Sequence, residues 1–126
     1  MPKKSRSRNA TDSITLRDFF GMLNALGCPA DTVYSLGGGA RSAVWQQIKA
    51  DACGRTFRVP ACSEATAMGA ALLAGWGSGL IASGVFPCRG ESAVYLPDNA
   101  RAPAYDTAYS LYKKLYAAVK PLYNAF

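Results

Sequence analysis

Three glycines followed by Ala40, Arg41 and Ser42 are the residues of this chain best suited to chemistry. Glycine carries no Cβ, so a turn at Gly37, Gly38 and Gly39 is free to take positive φ and to bring its amides against a ligand. Ser42 is placed to cap a helix beginning at Ala43, and a helix start gathers free N–H groups and about half a positive charge at one point. Donors of that kind suit a phosphate or a ribose, and Arg41 adds a cation. The candidate binding residues are therefore Gly37, Gly38, Gly39, Ala40, Arg41 and Ser42. The same turn also reads as a plain strand-to-helix connection in which Ser42 is only a cap. It is not a P-loop, because no Gly-Lys-Ser/Thr closes it. It is also a poor dinucleotide fingerprint: Ser42 stands where the third glycine belongs, and no acidic residue ends the next strand.

No catalytic residue emerges beside it. The chain has no histidine, which removes the commonest general base and every Ser-His or Cys-His pair. Asp51 is expected on the outer face of a helix, and Asp98 and Asp106 lie in or beside proline-rich chain, so none is offered as a base. Cys28, Cys53, Cys62 and Cys88 lack metal-ligand spacing. They are expected to be buried free thiols of a reducing, cytoplasmic environment, and no metal site is expected.

The elements that must position the turn follow from periodicity. Thr32–Leu36 reads as a buried strand and Ala43–Cys53 as a helix, with Gly54 at its C-terminal end. Val44, Trp45, Ile48 and Ala52 are expected to face inward, and Gln46, Gln47, Lys49 and Asp51 outward. Thr56–Val59 is a second strand, stopped by Pro60. Strand, helix and strand in about thirty residues form a βαβ unit with parallel strands. A third helix is expected from near Ser63 to Trp76. Its only hydroxyl or charge beyond Ala65 is Thr66, so it should be buried on all sides. Upstream, Leu16, Phe19, Phe20, Leu23 and Leu26 mark a helix capped by Ser13 and ended by Gly27 and Pro29. Downstream, 81–103 reads as irregular, with a short extended piece at Tyr95 and Leu96. A last helix runs from about Ala104 to Tyr123, its apolar side carrying Tyr105, Tyr109, Tyr112, Leu115 and Tyr116.

The chain has 126 residues, half of them hydrophobic, enough for one small domain or part of a larger one. Its net charge is +6, but Lys3, Lys4, Arg6 and Arg8 concentrate the excess in residues 1–12. That stretch is expected to be a disordered basic tail, with neither a secretory signal nor a nucleic-acid surface. No apolar run is long enough for a membrane span.

The stretch from Leu36 through Gly37-Gly38-Gly39-Ala40-Arg41-Ser42-Ala43-Val44-Trp45-Gln46-Gln47-Ile48 to Asp51 resembles the adenosine-binding motif of the FGGY carbohydrate kinases. Arg55-Thr56-Phe57-Arg58-Val59-Pro60 and Glu64-Ala65-Thr66-Ala67-Met68-Gly69-Ala70-Ala71 are similar to that family in order and spacing. So is the tail from Tyr109 to Leu122. Seventy-kilodalton chaperones share the glycine turn and the Glu64–Ala71 pattern. The resemblance implies an α/β fold, a partial ribonuclease H-like (actin-like ATPase) domain that is helix-rich, with a βαβ unit and a C-terminal helix. It implies that 13–126 is the C-terminal portion of the second lobe of a xylulokinase-like enzyme. Such an enzyme uses ATP and Mg²⁺ to phosphorylate a sugar, here a pentulose such as xylulose. In the family, the turn at Gly38, Gly39 and Ala40 holds the ribose and α-phosphate region of ATP, and the helix from Ala43 lines the adenine pocket. The Glu64–Ala71 helix lies at the hinge between lobes. The aspartate base, the phosphate hairpin and the sugar pocket fall in family segments that these residues do not match. The chain alone is thus expected to bind adenine nucleotide without turning over sugar, and to self-associate through an exposed apolar face. The other expectation is a non-catalytic nucleotide-binding or interaction module on the same fold.

Overall fold

The computed structural model describes residues 3–62, 64–82, 84 and 90–125. Ser63 and Cys88, for which a helix start and a buried thiol were expected, lie outside them. The chain runs as helix α1 (Lys3–Ala25), strand β1 (Thr32–Tyr34), a 3₁₀ turn (Gly38–Arg41), helix α2 (Ala43–Cys53) and strand β2 (Thr56–Pro60). Helix α3 (Ala65–Gly77), strand β3 (Glu91–Tyr95), helix α4 (Ala102–Val119) and a 3₁₀ segment (Lys120–Ala125) follow.

The three strands form one sheet in the order β1-β2-β3. The β1–β2 pair is parallel, as expected of the βαβ unit, with Val33 opposite Phe57. β3 pairs antiparallel to β2 and sets Tyr95 opposite Phe57 on the other side. Sequence periodicity placed only a short extended piece here, because the partner of β3 lies more than thirty residues back. Val33, Phe57 and Tyr95 therefore form one row across the sheet. Phe57 is 1% exposed and meets Phe20 of α1 edge to face, at 6.5 Å and 76°. Ala50 of α2 completes the centre, with Leu16, Leu23 and Cys53 packed around it. An apolar row on one sheet face under two amphipathic helices is the usual way such a layer excludes water.

α1 starts at Lys3, ten residues before the expected cap. Lys, Arg, Ser and Ala hold no strong helix breaker. Ser13 is not a cap but a fully buried residue within the helix. α4 joins α1 by polar contacts: Arg17 pairs with Asp106 at 2.7 Å, and the Tyr109 hydroxyl donates to Asp18 at 2.7 Å.

α3 departs most from expectation. Only Leu72 and Gly75 are buried, and Leu73 is 68% exposed. No helix or strand among the described residues packs extensively on it. An all-apolar helix needs cover on every side, and the described residues do not supply it. The apolar side of α4 is also open, with Leu111, Leu115 and Tyr116 largely exposed.

The thiols divide unevenly. Cys28 is exposed, Cys62 and Cys53 are half-buried, and all three are free. Cys28 therefore corrects the expectation of burial: it follows Gly27, beyond the end of the α1 face. Burial raises the Cys53 thiol to about 11, against the pull of Arg17, Arg55 and Lys49. The folded state thus holds this proton more tightly than the unfolded chain. The associated stability is full below about pH 9 and is lost as pH rises toward 11. Burial lowers the pKa of Lys49, which acts in the opposite sense, so the contribution is isolated by comparison with Cys53→Ala. Unfolding free energy measured at pH 8 and pH 10.5 is expected to fall further in the unsubstituted chain than in Cys53→Ala. Equal falls would contradict the assignment.

Candidate functional site

The glycine turn begins where β1 ends. Gly37 has φ 77° and ψ −169°, a region open to essentially no residue but glycine. The chain then tightens into the 3₁₀ turn, with Ala40 N–H donating to Gly37 O at 3.0 Å. Ser42 is extended, and its Oγ accepts from Trp45 N at 3.4 Å, capping α2 as its type and position imply. The amides of Gly38 and Gly39 have no acceptor among the described residues. Gly37→Ala forces a side chain into the glycine-only region. It is expected to cost about 1–2 kcal/mol, read as a lower urea midpoint with an unchanged slope.

The first turn of α2 supports the glycines from below. A Cβ on Gly39 would come within 2.5 Å of the Trp45 ring, so the second role of that glycine is to let the indole approach. Gln46 is fully buried, and its Nε2 donates to Gly39 O at 3.0 Å. The hydrophobic pattern placed Gln46 outward and Val44 inward. The structure reverses both, since Val44 is 44% exposed. Asp51, also expected outside, is buried. Its carboxylate accepts from Gln47 Nε2 at 2.7 Å and Asp98 N at 2.9 Å, and pairs with Arg101 at 3.2 Å. It ties the 98–101 turn to α2 and is a structural clasp. Lys49 is half-buried too: Nζ donates to Ser35 Oγ at 2.8 Å and lies over the Trp45 and Phe57 rings.

Beside the turn lies a cleft of about 300 Å³ at the carboxyl ends of the two parallel strands. That is where open α/β sheets bind ligands, because successive connections leave the strand ends on opposite sides. Leu36, Val59, Pro60, Ala61 and Tyr95 give it apolar walls, and Ser35, Ser92 and Arg41 give it polar groups. Of the six candidate residues, Gly37, Ala40 and Arg41 line the cleft. Gly38, Gly39 and Ser42 do not. Arg41 meets Glu64 at 2.9 Å, with both side chains about 70% exposed, a pair worth little to stability. Among the described residues no three His, Cys, Asp or Glu side chains gather as metal ligands. No helix among them is long and apolar enough to cross a membrane.

The strand-turn-helix-strand core, with its cleft at the strand ends, is the architecture of an actin-like ATPase domain, and solved kinases of that fold superpose on it. The chain belongs to the FGGY family of carbohydrate kinases, whose C-terminal domain matches residues 13–78. It is 32% identical over 117 residues to xylulose kinase of Bacillus subtilis (strain 168), covering 90% of this chain and 23% of that one. It is 36% identical over 95 residues to autoinducer-2 kinase of Yersinia pestis (strain Pestoides F), covering 71% of this chain and 18% of that one. Among solved structures, xylulose kinase from Rhodospirillum rubrum matches with a TM-score of 0.70 and 26% identity, over 92% of this chain and 24% of its own. A xyloylose kinase from Brucella ovis matches with a TM-score of 0.74 and 30% identity, over 90% and 24%. The chain thus spans about a quarter of the length of the relatives it matches.

Proposed function

We propose that residues 13–126 are the ATP-side portion of the second lobe of a cytoplasmic carbohydrate kinase, and that the Gly37–Ser42 turn takes the adenine nucleotide. The carrying observation is the turn itself: two amides without acceptors among the described residues and a glycine-only bend, beside a cleft at the ends of two parallel strands. The cleft suits adenosine. Its volume lies at the lower end of small-molecule sites, its walls are apolar, and Ser35, Ser92 and Arg41 supply polar groups along its lining. In the complete kinase ATP supplies the γ-phosphoryl group that a sugar hydroxyl accepts, with Mg²⁺ arriving on the nucleotide; the described residues offer no ligand cluster for it. The residues here bind and orient: Gly38 and Gly39 offer amides, Arg41 a cation, Tyr95 and Val59 an apolar wall. The names of the relatives support a pentulose such as xylulose as the sugar.

Catalysis is assigned to no residue of this chain. Asp51 is spent on structure, and Asp98 and Asp106 are held by Arg101 and Arg17. Calorimetric titration is expected to show saturable ATP binding, and incubation with ATP, Mg²⁺ and a pentulose panel to give no sugar-dependent ADP. Absence of ATP binding would overturn the first statement, and sugar-dependent ADP the second. The exposed apolar sides of α3 and α4 support a second proposal, that the chain self-associates or packs against further kinase sequence. A non-catalytic nucleotide-binding module is the remaining alternative, and it shares the same turn.

A further inference from the structure

The geometry points to Gln46 as the positioning residue of the glycine turn. Its side chain is fully buried, and its single protein partner among the described residues is the Gly39 carbonyl, 3.0 Å from Nε2. Its Oε1 is buried with no partner among them. Reversing the amide would set two acceptors against each other, so the Gly39 contact alone fixes which way the group points. A buried acceptor without a partner is a cost. A methionine or leucine would fill the same space without that cost, so core packing does not account for glutamine here. What glutamine adds is a grip on the one carbonyl at the middle of the turn.

That grip has a geometric consequence. With Gly39 O directed down onto α2, the peptide plane that follows is fixed, and Ser42 N–H closes on the same oxygen at 3.5 Å. Trp45 occupies the space beneath Gly39 and blocks collapse of the turn in that direction. The amides of Gly38 and Gly39, which have no acceptor among the described residues, belong to the same turn. Gln46 thus acts on a ligand only through the turn, and its role in affinity rests on the nucleotide reading above. Its role in turn geometry does not.

The test uses Gln46→Met, close in size but without the donor, and Gln46→Leu as a second variant. Hydrogen exchange is followed at the Ala40 and Ser42 amides, with the Ala50 amide inside α2 as internal reference. Exchange at Ala40 and Ser42 is expected to speed up by about fivefold relative to Ala50, the factor for one hydrogen bond. ATP affinity is expected to weaken by a similar factor. Equal acceleration at all three amides, or none, would overturn the proposal. If the unsubstituted chain binds no ATP, the nucleotide reading fails while the exchange ratio still decides this one. If neither variant folds, the unsubstituted chain decides it: one Gln46 Nε2 proton should exchange more slowly than in a free amide, and exchange at the free rate would overturn it.

Discussion

Truncation of Phe57 to alanine is expected to cost the chain about 4 kcal/mol, the largest loss from any single substitution considered. Phe57 stands at the one place where every layer meets. It is the middle of the Val33–Phe57–Tyr95 row across the three strands. Its ring receives Phe20 of α1 edge to face, and Lys49 of α2 lies 5.3 Å above it. At 1% exposure the transfer cost of the ring is nearly complete. A cavity adds to it, since the two outer strands and two helices cannot all close on one alanine. Equilibrium urea unfolding should show the loss as a large fall in midpoint; a change under 1 kcal/mol would mean the sheet and α1 are not packed as described. Phe57→Leu, which keeps most of the volume, should recover more than half of it.

Asp51→Ala is expected to cost about 3 kcal/mol. Three donors converge on this one carboxylate: the Gln47 amide, the Asp98 backbone N–H and the Arg101 guanidinium. Each contributes roughly 1 kcal/mol net, more than a neutral bond in principle but discounted because Arg101 is over half exposed. The Gln47 amide also donates to Leu96 O, so it keeps one partner when Asp51 is removed. The Asp98 N–H does not, and the 98–101 turn that leads into α4 is released. The loss should therefore be regional as well as global. Limited proteolysis is expected to cut the variant between Leu96 and Arg101 faster than the unsubstituted chain. A stability loss with an unchanged cleavage pattern would show that Asp51 does not hold this turn.

These two residues also mark where the sequence could and could not be read. Phe57 sits in Thr56–Val59, a short stretch stopped by Pro60, and the strand follows from that. The turn was equally legible, because three successive glycines break both the helical and the strand period, and Ser42 and Gly54 bracket α2 by cap chemistry. Asp51 and Gln46 were assigned outward because hydropathy treats a polar side chain as solvent-seeking. Their partners, Asp98 N and Gly39 O, are backbone groups whose positions depend on the fold, and no residue spacing advertises them. The helical period did contain a signal: Gln46, Ala50 and Cys53 lie on one face, and Ala50 at its centre is fully buried. β3 was missed as a strand for a related reason, since its pairing is made with a strand far back in the chain. α3 was misjudged in the other direction. Its composition asks for burial, but composition does not say whether the covering surface lies among these residues.

The six candidate positions were likewise only partly resolved by type. Gly37, Ala40 and Arg41 line the cleft, whereas Gly39 also makes room for the Trp45 ring and Ser42 caps α2. A glycine needed for close packing and a glycine needed for a ligand look identical in a sequence.

The most direct test of the nucleotide assignment is an amide NMR titration of the chain with ATP. The assignment predicts saturable shifts concentrated at Gly37–Arg41 and at cleft residues such as Ala61 and Tyr95, with α4 amides unmoved. Shifts that never saturate, or that fall on α3 or α4 while Gly38 and Gly39 stay still, would contradict it.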